Sequence, residues 1–88
     1  MTLRDVIARL DEFGADETIF AEAATPDARA EVASEDARTD LSYLLEVDLA
    51  RAAIEVWQAW RPGETPTLES KLEAVIYYAE NDAWLPVA

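Results

Sequence analysis

The chain has 88 residues, 51% of them apolar, and carries 19 acidic against 7 basic side chains, a net charge of −12. That length supports one domain, 1–88, able to bury about 60–65% of its unfolded surface, and apolar residues in periodic blocks argue against disorder despite the charge. With no cysteine and no histidine, disulfides, thiolate metal sites and cysteine nucleophiles are excluded, and zinc chemistry and histidine-dependent triads lose their commonest ligand and base.

Thr2 opens the first predicted helix, with Asp5 completing a short capping box, and Leu3, Val6, Ile7, Leu10 and Phe13 forming an apolar stripe. The helix is expected to run from about Leu3 to Phe13 and to stop at a left-handed Gly14. Glu17 to Ala23, ETIFAEA, suits a strand. A turn at Ala24-Thr25-Pro26-Asp27 leads to Ala28–Ser34, which alternates as the second strand of a hairpin; a helix over Asp27 to Ala37 is the competing reading. Glu35 to Asp40 is a charged connection with no apolar anchor.

The stretch from Tyr43 to Trp60 is the longest apolar run and the expected centre of the fold. A buried central strand, Leu41 to Val47, turns at Asp48 into a helix that Asp48 is placed to cap. In that helix Leu49, Ala53, Val56, Trp57 and Trp60 share one face, and Arg51, Glu55 and Gln58 lie opposite. Arg61-Pro62-Gly63 stops it. Thr65-Pro66 starts another, with Leu68, Leu72, Val75, Ile76 and Ala79 inward, ending at Asn81-Asp82. Trp84 is expected to pin the tail, and Pro86 makes a terminal strand unfavourable. Together these elements predict an α+β fold: a small antiparallel sheet of about three strands, arranged as a meander, with three helices in the order α-β-β-β-α-α packed on one face.

The carboxy-terminal half, LEVDLARAAIEVWQAWRPGETPTLESKLEAVIYYAENDAWLP, is similar to a group of small uncharacterised bacterial proteins over residues 44–86. The LEV strand, the alanine-rich helix ending in tryptophan, the Thr-Pro restart and AVIYYAENDA carry the resemblance. It implies a compact domain with these landmarks and no particular function.

Functional candidates come from the surface. On the last helix Glu69, Glu73 and Glu80 cluster along one flank, while Tyr77 and Tyr78 are assigned to the opposite flank and back. Adjacent tyrosines do not share one buried stripe, so at least Tyr77 is expected to be exposed as an interface anchor, unless a ring covers a loop or the tail. The glutamates offer hard oxygen ligands to a divalent cation, or simply form a solvated face. Ile54 and Trp57 widen the apolar arc of their helix, and Trp57 joins the candidate surface, with a homodimer as one way of covering it. Glu46 and Asp48 form a candidate carboxylate pair for acid/base work; the other reading makes Asp48 a cap and pairs Glu46 with an arginine such as Arg29.

Between Asp11 and Asp48 stand twelve carboxylates against Arg29 and Arg38. Such a surface favours basic partners and disfavours nucleic acid and anionic membranes; a GC-rich genome or a salt-adapted proteome would produce the same composition. The start MTLRDVIARL lacks the apolar core of a signal peptide, and no run approaches a membrane span, so a cytoplasmic location is expected. The leading expectation is a non-enzymatic module, inhibitor-, immunity- or antitoxin-like, that binds a basic protein and needs no cofactor. The alternatives are a self-associating accessory domain and, behind it, a carboxylate-based small enzyme or cation binder.

Overall fold

Helix α1 (Leu3–Ala8) begins as the sequence predicts in a computed structural model that describes residues 1–87. The Asp5 N–H donates to Thr2 Oγ1 at 3.2 Å and the Thr2 N–H donates to Asp5 Oδ2 at 3.0 Å, closing the capping box. Its end differs from expectation. Arg9 leaves the helical conformation and a 3-10 turn covers Leu10–Glu12, so the α-helix does not reach Phe13. The cause is tertiary: the Arg51 guanidinium accepts the role of missing helical donors by hydrogen bonding to the carbonyls of Leu10 and Phe13. Nor is Gly14 a left-handed stop. Its N–H donates to Glu17 Oε1 at 2.7 Å, and the glycine with positive φ is Gly63, at 83° in the stop after the middle helix.

Three strands follow: β1 (Thr18–Ala21), β2 (Ala30–Ala33) and β3 (Ser42–Glu46). The strand reading of Ala28–Ser34 holds and the helical one falls. The sheet is antiparallel but is not a meander, because the strand order is β2-β1-β3. All four β1 residues are buried, so it takes the middle, whereas β2 with Glu31 and β3 with exposed Tyr43 lie at the edges. The stretch expected to be central is therefore an edge strand.

With β1 antiparallel to both neighbours, β2 and β3 run parallel. The link from Ser34 to Leu41 must travel back along the full strand length, about 3.3 Å per residue. Arg29, just before β2, donates to Asp40 Oδ2 at 2.6 Å, which fastens the far end of the link to the start of β2. Leu41, just past the link and before β3, is buried. Helices pack on the Ile19 face of the sheet; on the other face Phe20, opposite Glu31 and Tyr43, is only 6% exposed.

Helix α2 (Val47–Ala59) follows β3 directly, and α3 (Leu68–Asn81) packs against both α2 and α1. The core joins Leu3, Val6 and Ile7 of α1, Ile19 and Leu45 of the sheet, Val47, Ala50 and Ala53 of α2, and Leu72 and Val75 of α3. Burying a side chain such as Leu72 contributes about 1.5–3 kcal/mol. The inward face of α2 is rotated from the predicted one: Val47, Ala50, Ala53 and Trp57 are buried, while Trp60 is 47% exposed. Ala50 and Ala53 keep this buried face narrow, so the core packs closely against it.

Two caps also shift. Residue Glu46 occupies the N-cap of α2 without a side-chain bond, and Asp48 sits inside the first turn, where its charge still favours the helix dipole. At α3 the cap is Thr67, not Thr65. Its Oγ1 accepts from the Ser70 N–H at 3.1 Å, because Pro66 keeps the chain extended until that point. Asp82, at φ 52°, closes α3 in the left-handed conformation.

Candidate functional site

The outer face of α3 carries a groove of about 330 Å³ lined by Pro26, Glu69, Leu72, Glu73, Ile76, Tyr77 and Glu80. Its floor is apolar and its walls are carboxylates. Helical geometry explains the grouping: Glu69, Glu73, Ile76, Tyr77 and Glu80 recur at three- and four-residue spacing and so share one side. Tyr77 therefore lies with the glutamates, not on the opposite flank to which the sequence reading assigned it. Pro26, in the β1–β2 turn, comes to α3 because that turn packs on the start of α1; its carbonyl accepts from the Arg4 N–H at 2.8 Å.

One end of the groove is already neutralised. Arg4 donates to Glu69 Oε1 and lies 3.7 Å from Asp27 Oδ1, so this guanidinium ties α1, the turn and α3 together. Glu73 and Glu80 have no ion pair among the described residues. They remain available to an incoming cation.

Trp57 and Tyr78 do not belong to this surface. Trp57 is 8% exposed, and the Arg61 guanidinium covers its ring at 4.7 Å. Tyr78 stacks on Trp84 with ring centroids 4.7 Å apart and planes inclined by 29°. Arg61 also donates to the Pro86 carbonyl at 3.1 Å, so the tail lies back along α2 and α3. Ala74, one turn before Tyr78 on the same side of the helix, is buried. Trp84 does pin the tail, as expected.

The Glu46 and Asp48 pair lies at the junction of β3 and α2, with Glu46 partly covered and Asp48 exposed. Arg29 is committed to Asp40, so the expected Arg29–Glu46 pair does not form. A register shift between Ile19 and Phe20 places Tyr43 opposite Phe20 and Glu46 opposite Thr18. The irregularity brings Tyr43 and Glu46 onto one face of the sheet despite their three-residue spacing, which a regular strand would not do. Burial, followed by the charges of Glu46 and Glu35, pushes the Tyr43 hydroxyl above its ordinary pKa.

Comparison with protein-family models, with curated proteins and with solved structures returned no match. The geometry of the chain itself is what bears on function. Among the described residues, no group of three or more carboxylates is close enough to hold a metal ion, which leaves the Glu69, Glu73 and Glu80 flank without a ligand set. No helix among them is long and apolar enough to cross a membrane.

A second cleft, of about 230 Å³, was not foreseen. It lies where α1, α2 and the approach to α3 meet, and includes Asp11, Arg51, Ile54, Glu55, Gln58, Pro66 and Lys71. Its residues come from three separate segments and its charges are of both signs, so no stretch of sequence announces it. Arg51, assigned to the solvent face from periodicity, instead turns inward to the carbonyls of Leu10 and Phe13.

Proposed function

We propose that the protein is a non-enzymatic interaction module whose α3 groove receives a basic segment of a partner protein, in the manner of small acidic inhibitor, immunity or antitoxin proteins. The supporting observation is the placement of Glu73 and Glu80, neither ion-paired among the described residues, beside Tyr77 and above the apolar floor of Leu72 and Ile76. A lysine or arginine side chain laid there sets its alkyl stem on the floor, its charge against the carboxylates and one face toward the tyrosine ring. The absence of cysteine suits a reducing, cytoplasmic setting.

The test is capture from a lysate of the source organism at low salt, with the wild type and the double variant Glu73→Gln/Glu80→Gln compared side by side. The expected result is a basic protein held by the wild type, released by salt and lost by the variant. Equal retention by both proteins, or a partner without basic character, would overturn the reading.

A second reading, self-association, draws support from Trp60 and Val87, 47% and 57% exposed. Arg61 holds Pro86, so both residues lie at the same end of the molecule. Light scattering that gives twice the chain mass, reverting to the monomer in Trp60→Ser, is the outcome this reading requires.

A further inference from the structure

The two edges of the sheet are treated differently. On the β2 side the amino-terminal residues lie alongside the strand: the Ala30 N–H donates to the Met1 carbonyl at 2.7 Å, Thr2 bridges to Arg29, and the Leu3 N–H donates to the Ala28 carbonyl at 2.9 Å. That edge is covered at its start, as far as Ala30. On the β3 side, the strand pairs with β1 alone, and no other backbone segment among the described residues bonds to Ser42–Glu46. Ser42 is exposed and Tyr43 is 55% exposed.

We infer that β3 is a docking edge at which an extended, basic segment of a partner protein adds as a fourth strand. Main-chain groups along an open edge supply the hydrogen bonds of such an addition, and side chains on alternate positions supply its selectivity. The selectivity here is for positive charge. Tyr43 and Glu46 share the face beside the edge, and Glu35 of the link and Asp48 at the start of α2 are near enough to act on the Tyr43 hydroxyl.

A second copy of the chain is the wrong occupant. Antiparallel self-pairing of β3 centred on Leu44 sets Glu46 of each copy against Ser42 of the other, so neither carboxylate meets a cation. The irregularity near Leu44 also bends the edge away from a flat self-pairing geometry. A lysine-bearing strand gives Glu46 the cation that a second copy lacks, with its charges beside Tyr43 and Glu46 and its alternate residues on the other face.

This inference shares the basic-partner premise of the proposed function but uses a different surface, and the test separates them. The probe is a peptide of alternating lysine and valine, compared with the same peptide N-methylated at alternate residues so that one edge has no N–H groups. Backbone amide shifts and hydrogen exchange are followed by NMR. The expected result is slower exchange confined to residues 42–46, loss of binding on N-methylation, and affinity roughly fivefold weaker in Glu46→Gln. Binding that shifts only the Glu73, Tyr77 and Glu80 amides overturns the edge assignment while supporting the α3 groove. Equal binding of the N-methylated peptide, no binding at all, or protection of 42–46 by self-association without peptide overturns it as well.

Discussion

The guanidinium of Arg61 lies 4.7 Å over the Trp57 ring while donating to the carbonyls of Trp57 and Pro86, each at 3.1 Å. One side chain thus covers the largest aromatic of α2 and holds the tail in place. Replacing it by alanine removes the cover and the strap together, at a cost of about 1–2 kcal/mol. Urea unfolding should show that loss, and acrylamide should quench the tryptophan fluorescence of Arg61→Ala more strongly than that of the wild type. Arg61→Lys should recover only part of the effect, since an ammonium does not reproduce the planar fork. Unchanged quenching in Arg61→Ala would mean that the Tyr78–Trp84 stack holds the tail alone.

Thr18 is fully buried in the central strand, and its hydroxyl has no hydrogen-bond partner among the described residues. A buried, unpaired polar group costs about 1–3 kcal/mol, whereas an apolar group of the same shape does not. Thr18→Val keeps the β-branch and the volume, so it should raise the unfolding midpoint, with a gain of about 1 kcal/mol or more. A lower midpoint would show that the hydroxyl is satisfied by something bound in the native protein.

Part of the local chemistry was legible, and the long-range choices were not. The capping box at Thr2 and Asp5, the stop at Gly63 and the end of α3 at Asp82 depend on neighbours in sequence, and each appears where the pattern places it. Which strand takes the middle depends on burial from both faces, and the run Tyr43–Val47 looked central because its apolar content was read without its partners. The stripe of α2 was right at Ala53 and Trp57 but missed Val47 and Ala50, because an alanine looks neutral on a helical wheel. At the groove, the glutamates were recognisable from spacing. Tyr77 was assigned to the wrong side although the same spacing places it with them, and Pro26 joins only through the packing of the β1–β2 turn on α1.

Asp5 is held below its ordinary carboxylate pKa, first by the hydrogen bond from the Thr2 backbone N–H and then by the Thr2 side chain. The folded protein therefore prefers the ionised form. The stabilisation is fully present above the ordinary value of 3.8 and is lost as pH falls through the lower folded-state value. Asp5→Asn should flatten the decline in stability over that acid window. Thr2→Ala should cost about 1 kcal/mol already at neutral pH, because it removes the cap itself. Urea midpoints followed from neutral pH down through the acid range test both, and an acid decline in Asp5→Asn as steep as in the wild type would assign the loss to other carboxylates.

Tyr43 and Tyr78 are both raised above the ordinary tyrosine value of 10.0, each chiefly by burial, but their neighbouring charges differ. Tyr43 feels Glu46 and Glu35, and Tyr78 feels Asp82 and Glu46. Glu35→Gln is therefore the selective substitution. In an ultraviolet titration it should move one tyrosine step down toward the ordinary value, the step that disappears in Tyr43→Phe, and leave the Tyr78 step in place. Glu46→Gln should lower both. A raised folded-state value means that the fold prefers the neutral phenol, so this stabilisation is complete below about pH 10 and fades as pH climbs through the folded value. Glu35→Gln should accordingly soften the alkaline loss of stability. If it leaves the Tyr43 step unmoved, Glu35 does not act on the Tyr43 hydroxyl beside the β3 edge.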